Sequence, residues 1–218
     1  MTNSRRSQGL FISFEGGDGA GKSTQIRLLA EALRAQGQEV VTTREPGGSP
    51  GAESIRKLLL EGDADKWSPL TEALLMYASR ADHLERTIEP ALRRGAAVIS
   101  DRFADSTMAY QGLAGALGEE AVTSLHKLVV SGREPDVTFV LDMPVAEGLA
   151  RSKSTGSSEQ RFESKGAEYQ EKVRNAFLEI AKRNPVRCVV IDATGSQDDV
   201  AKRILAALKE VRPAANNG

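Results

Sequence analysis

An apolar run at residues 10–15 ends in Gly16-Gly17-Asp18-Gly19-Ala20-Gly21-Lys22-Ser23, and Ile26, Leu29, Ala30 and Leu33 follow at helical spacing. The glycine cluster fits G-x-x-x-x-G-K-[ST] in the strand–loop–helix setting that the pattern needs. Its residue types are those of a phosphate cradle. Glycines let the backbone curl into a ring of N–H donors. The start of a helix adds a favourable potential for an anion. Lys22 brings a cation to the β- and γ-phosphates, and Ser23 offers a hydroxyl to Mg²⁺.

The remainder of the chain agrees with this setting. Apolar runs at residues 39–43, 96–100, 137–141 and 187–191 read as further strands. Helical spacing recurs near residues 55–59, 70–88, 121–129 and 198–211, with Gly37 placed to stop the first helix and Pro90 to kink or restart the long one. Continuous apolar strands alternating with helices predict an α/β fold, a five-stranded parallel sheet in a three-layer α/β/α arrangement. Ligands of such sheets bind beyond the carboxyl ends of the strands. One domain is expected over residues 9–212, with flexible tails at 1–8 and 213–218.

Charge and cysteine content narrow the possibilities. With 29 basic and 30 acidic residues the net charge is −1, so a polycation that wraps nucleic acid is excluded and any anion site must be local. No apolar stretch reaches membrane-spanning length, and the N-terminal residues lack the apolar segment of a signal peptide. The single cysteine, Cys188, excludes an intrachain disulfide and fits a reducing, cytoplasmic compartment.

Arg44 and Arg102 each follow a predicted strand. Both are expected to project toward the glycine loop, where a guanidinium fork suits a second phosphate. The competing reading pairs them with Glu45 and Asp101 as structural ion pairs. Asp101, closing an apolar strand, is placed to hold Mg²⁺. Residues 151–165 are rich in Ser, Gly and charge, as a flexible lid loop would be. Phosphoryl transfer needs extra positive charge near the migrating group. The glycine loop carries no arginine, so Arg151, Lys153 and Arg161 are the candidates. His83 and His126 read as solvated helix residues, and Trp67 as a packing anchor.

The motifs together resemble the thymidylate kinase family. They are Phe14-Glu15-Gly16-Gly17-Asp18-Gly19-Ala20-Gly21-Lys22-Ser23-Thr24, then Thr43-Arg44-Glu45-Pro46-Gly47-Gly48, then Arg80. The last is Asp101-Arg102-Phe103-Ala104-Asp105-Ser106-Thr107-Met108-Ala109-Tyr110-Gln111-Gly112. The resemblance implies a P-loop NTPase fold, ATP with Mg²⁺ held by residues 16–24, and transfer of the γ-phosphoryl to dTMP. It also implies Arg44 and Arg102 at the dTMP phosphate, Asp18 at the 3′-hydroxyl, and Arg80 and Thr107 at the thymine edge. Tyr110 would lie against the sugar, with Gln111 beside it. Asp192, Ala193 and Thr194 would border the adenine. A basic lid resembles the bacterial subgroup, with Arg151 over the γ-phosphate and Lys153 assisting. Members are usually homodimers packed through long helices. One departure is plain: Met76 stands where the family usually has a phenylalanine stacking on the base. Two other readings stay open at this point, a kinase for another nucleoside monophosphate and a nucleotide-binding regulator without transfer activity.

Overall fold

A computed structural model describes residues 9–63, 66–155 and 166–211, and its centre is β1 (Leu10–Gly16), buried along its whole length. Four strands flank it in parallel: β2 (Val40–Arg44), β3 (Ala97–Asp101), β4 (Val137–Asp142) and β5 (Cys188–Asp192). The order across the sheet is β2-β3-β1-β4-β5. Side chains of β1 alternate between two buried faces, which is why its sequence is continuously apolar rather than alternating. Leu10, Ile12 and Phe14 meet α1 (Lys22–Ala35) and α9 (Gln197–Val211) through Leu29, Leu33, Ile204 and Leu208. On the other face, Phe11 and Val98 pack with Tyr77, Ile88, Phe103 and Val122. Val140 packs there with Phe177 and Ile180 of α8 (Gly166–Arg183).

The connections leaving β1 and β3 diverge. α1 follows β1 onto one face, whereas α5 (Ala104–Thr107) and α6 (Glu119–Val129) follow β3 onto the other. A crevice must therefore open at the carboxyl ends of these two neighbours. Register brings their ends together: Phe14 pairs with Asp101, and Asp101 with Arg44 of β2.

The long helix expected at residues 70–88 is α3 (Pro69–His83), which α2 (Pro50–Leu60) packs against. Ser68 caps α3 by accepting the Thr71 N–H at 3.3 Å. α3 runs on through a π-helical turn (Leu84–Ile88) into α4 (Glu89–Arg93). Pro90 follows the π-helical turn, and the wide turn accommodates the break in the helical ladder that its missing N–H and ring impose.

Three expectations are corrected. Residues 151–155 are not loop but the end of α7 (Val145–Thr155), so Arg151 rides on a helix. Residues 156–165, with Arg161, lie outside the described residues, as do both tails. His83 is not solvated: its side chain is completely buried. His126 is partly buried and pairs with Glu134 at 2.5 Å. Trp67, half-buried outside the core clusters, donates its indole N–H to Leu58 O at 3.1 Å and lies under Lys66 Nζ. Cys188 is buried, and burial pushes its thiol up to about 12.

The first turn of α7 touches the glycine loop backbone to backbone. A Cβ on Gly148 would lie 2.7 Å from Asp18 O, and one on Gly19 would lie 2.0 Å from Gly148 O. Two effects then oppose each other at Gly148. Alanine is favoured over glycine inside a helix by roughly 1 kcal/mol. Forcing a methyl group into a packed site costs about 1–3 kcal/mol. The obstacle here is backbone, which yields less readily than a side chain, so overpacking wins. Gly148→Ala is expected to lower the urea-unfolding free energy by about 1 kcal/mol or more. A variant as stable as the parent would show that α7 slides off the loop freely.

Candidate active site

The crevice is a cleft of about 620 Å³ lined by residues 18–25 of the glycine loop and α1, by Arg44, Asp101 and Arg102, and by Arg151 across from them. Lys22 curls back over the loop, its Nζ donating to Gly16 O at 3.2 Å and Gly17 O at 3.0 Å. No side chain caps the start of α1 among the described residues, and the helix N-terminus brings a favourable potential for an anion to the loop. Ser23 donates its hydroxyl to Asp101 Oδ2 at 3.1 Å. A hydroxyl and a carboxylate side by side at the phosphate loop are the hard oxygen donors that Mg²⁺ prefers. The far wall is Ala193, Gly195, Ser196 and Gln197. Gln25 ties it to α1 by donating to Gln197 O at 2.9 Å.

A second, narrower pocket of about 40 Å³ opens from the same place, sharing Asp18, Glu45 and Arg102 with the cleft. Met76, Arg80, Thr107, Tyr110 and Gln111 line it. Arg80 is 2% exposed. Its Nε donates to Glu45 Oε2 at 2.7 Å, and its Nη2 to Phe103 O at 3.1 Å and Thr107 Oγ1 at 3.0 Å. Its guanidinium also lies over Tyr77 and Phe103, 4.7 and 5.2 Å from the ring centroids. Nη1 is buried without a partner, and so is Asp18 Oδ2. A buried donor and a buried acceptor left open in one pocket are costly unless a ligand satisfies them. Gln111 donates to Glu72 Oε1 at 2.9 Å, and Tyr169 donates to Tyr110 O at 2.9 Å, which fixes two further walls.

Arg102 joins the two spaces. Its Nη2 donates to Asp18 Oδ1 at 2.6 Å, its Nη1 to Gly16 O at 3.0 Å and Ser106 Oγ at 3.2 Å. Its backbone has φ +68°, a left-handed conformation that a non-glycine residue adopts only under constraint. Glu15 supplies the constraint. Fully buried at the end of β1, it accepts the Phe103 N–H at 2.7 Å and the Ser106 hydroxyl at 2.5 Å.

Sequence-predicted residues therefore gather as expected, with differences in detail. Of residues 16–24, Asp18 through Thr24 line the cleft, while Gly16 and Gly17 lie behind it and accept from Lys22 Nζ. Arg102, Arg80, Met76, Thr107, Tyr110 and Gln111 converge on the narrow pocket. Arg44 lies in the cleft, 54% exposed by side chain, and pairs with Glu53 rather than Glu45. Gly48 N–H, with Arg44 and Arg56, holds the Glu53 carboxyl below its usual range. Arg102 pairs with Asp18 rather than Asp101. Arg151 pairs with Glu147 one turn away at 2.5 Å. Lys153 lies on the same helix. Residues that the motifs left without a role are Glu15, Glu45 and His83. The available signal was a carboxylate at the end of an apolar strand, which is rarely placed there without partners.

This arrangement can be set beside known proteins. Residues 14–204 match the family model described as Thymidylate kinase. The chain belongs to the thymidylate kinase family. It is 57% identical over 197 residues to the thymidylate kinase of Caulobacter vibrioides, covering 90% of this chain and 94% of that one. The thymidylate kinase of Ruegeria pomeroyi is also 57% identical, over 88% of this chain and 91% of its own length. Among solved structures, thymidylate kinase from Ehrlichia chaffeensis superposes with a TM-score of 0.75 at 35% identity, covering 92% of this chain and 98% of that one. The fold is that of the P-loop NTPases.

Burial, and then the nearby Asp105 carboxylate, push Glu15 up to about 8, against the opposing pull of Ser106, Arg102 and the Phe103 N–H. Between about pH 4.5 and 8 the folded chain therefore holds a proton that the unfolded chain has released. The stabilisation is complete below the unfolded value and is lost as pH rises through the folded one. Chemical denaturation from pH 5 to 8.5 is expected to show parent stability falling relative to Glu15→Gln, by no more than about 1.4 kcal/mol per pH unit. Parallel curves would place an ionised Glu15 in the folded protein.

Proposed function

We propose that this chain is a thymidylate kinase that transfers the γ-phosphoryl of ATP to dTMP, giving ADP and dTDP. The observation that carries the reading is the pair of open polar atoms in the narrow pocket, Arg80 Nη1 and Asp18 Oδ2. A deoxynucleotide satisfies both, a base carbonyl accepting from Arg80 and the 3′-hydroxyl donating to Asp18. The relatives named thymidylate kinase supply the identity of the base.

On this reading the loop N–H groups and Lys22 hold the β- and γ-phosphates of ATP. Ser23 and Asp101 hold Mg²⁺, which when bound neutralises charge on the phosphate oxygens. Arg102 and Arg44 hold the dTMP phosphate facing the γ-phosphorus. A dTMP phosphate oxygen forms the new bond while the bond from phosphorus to the β–γ bridging oxygen breaks, and ADP leaves with that electron pair. The acceptor is already an anion, so no general base is required. Positioning and charge neutralisation carry the catalysis. Tyr110, 5.2 Å beneath the Arg102 guanidinium, lies where a ribose 2′-hydroxyl would crowd it. Thr107 and Gln111 border the base edge, and Met76 covers the base face through its polarisable thioether. Arg151 brings positive charge from α7, and Lys153 and Arg161, further cations of the lid sequence, assist it. Ala193 and Thr194 border the adenine.

The reading extends to a cytoplasmic homodimer. Leu58, Leu70 and Leu74 are 46%, 50% and 48% exposed on the packed pair α2 and α3, which supports an apolar face available to a second copy.

A coupled ADP-release assay with ATP and Mg²⁺ tests the acceptor, using dTMP, dUMP, UMP, dCMP and AMP in parallel. Clear preference for dTMP is expected. Preference for another monophosphate would mean that Met76 has retuned the pocket, and no acceptor-dependent ADP would leave a nucleotide-binding regulator. In the same assay Arg151→Ala is expected to lower kcat by on the order of 10³. A kcat within about threefold of the parent would remove Arg151 from the transfer step, because that loss is far below an arginine finger's contribution.

A further inference from the structure

Behind Arg80 lies a buried relay that no part of the transfer chemistry uses. His83 sits one turn further along α3, its ring fully enclosed. Its Nδ1 is 2.9 Å from Glu45 Oε1, and its Nε2 is 2.7 Å from Thr43 Oγ1. The other oxygen of Glu45 takes the Arg80 Nε–H at 2.7 Å. The contacts are satisfied when Nδ1–H donates to Glu45 and Nε2 accepts from the Thr43 hydroxyl. The opposite tautomer would set a nitrogen lone pair against a carboxylate. Gly48 leaves room for the ring, since a Cβ there would lie 2.4 Å from His83 Nε2.

The consequence falls on Arg80. Glu45 fixes its Nε edge, and Phe103 O and Thr107 Oγ1 fix Nη2, so Nη1, buried without a partner, is the guanidinium donor left for a ligand of the pocket that Arg80 lines. A rigid donor discriminates between bases. A ring carbonyl accepts from it, whereas an exocyclic amino group brings a second donor against it and leaves both unmatched. Discrimination then depends on how firmly the guanidinium is held. Without His83, Glu45 Oε1 is a buried carboxylate oxygen with one partner fewer, free to swing and release Arg80 Nε.

We propose that His83 is a positioning residue for base selection, holding Glu45 so that Arg80 presents one fixed donor to a pyrimidine carbonyl. The inference rests on the assignment of dTMP as acceptor.

The test is the ratio of kcat/KM for dTMP to that for dCMP, which is unaffected by the fraction of enzyme folded. His83→Leu removes the donor to Glu45, whereas His83→Asn places an amide N–H near the position of Nδ1. His83→Leu is expected to reduce the ratio by at least about tenfold, through KM for dTMP and with KM for ATP unmoved, while His83→Asn stays within about threefold of the parent. Should His83→Leu not fold, Thr43→Val breaks the same relay outside the pocket and is expected to reduce the ratio by about threefold or more. An unchanged ratio in His83→Leu, or in Thr43→Val where that variant stands in, overturns the proposal while leaving the acceptor assignment intact. Equal losses in His83→Asn and His83→Leu overturn it as well, because ring volume would then be what matters. A parent that does not prefer dTMP over dCMP overturns the acceptor assignment itself.

Discussion

The ion pair between Arg102 and Asp18 is the joint on which the site depends. Both side chains are about nine-tenths buried, and the pair sits between the glycine loop and the narrow pocket. Burying two charges costs several kcal/mol unless geometry and further hydrogen bonds offset the lost hydration. Here the offset is visible: Arg102 also donates to Gly16 O and Ser106, and lies over the Tyr110 ring. The backbone of Arg102 adds strain through its positive φ. Such strain persists only where surrounding contacts over-determine it. Glu15 does this from the neighbouring strand, with one oxygen on the Phe103 N–H and the other on Ser106. The glycine loop and the narrow pocket are thus one construction, pinned at adjacent ends of β1 and β3.

The same device appears twice. Glu15 stands to Arg102 as Glu45 stands to Arg80: a buried carboxyl group whose two oxygens are both engaged, holding a turn or a guanidinium that lines the pocket. In each case the carboxylate comes from a strand end and the group it steadies lies on the next element packed against that end. A parallel sheet makes this economical, because its register aligns the carboxyl ends of Phe14, Asp101 and Arg44 along one edge. Precision at the pocket then comes from groups placed on or immediately beyond strand ends and from the helices packed against them.

Much of this was legible in the sequence for a simple reason. Strand β1, the glycine loop and α1 are contiguous, so their pattern survives in a short window. The strand ends of Arg44 and Asp101 were recoverable because buried parallel strands read as apolar runs. What escaped was carried by long-range partners. His83 lies on an amphipathic helix next to charged residues, and nothing local tells a solvated histidine from one whose partners are forty residues away. The Ser- and Gly-rich composition after Arg151 suggested a loop, yet α7 persists through Thr155, and no local pattern shows that its glycine packs against the P-loop. Helix α8 was passed over although Val173, Ala176, Phe177 and Ile180 fall at helical spacing, because the many charged residues between them mask a narrow apolar stripe.

The contact between Gly148 and Gly19 connects these observations. A glycine inside a helix is a local loss of helical stability, so its presence in α7 needs a tertiary cause. The cause is the carbonyl of Asp18, against which no side chain fits. That carbonyl belongs to the residue whose carboxylate holds Arg102, and Arg151 lies one turn beyond Gly148 on the same helix. The loop crest is therefore in direct contact with both sides, through Asp18 with Arg102 and through Gly148 with the helix that carries Arg151. Close backbone contact leaves little slack there, because packed interiors deform poorly. The glycine loop is thus the element that touches both the helix carrying Arg151 and the side chain of Arg102.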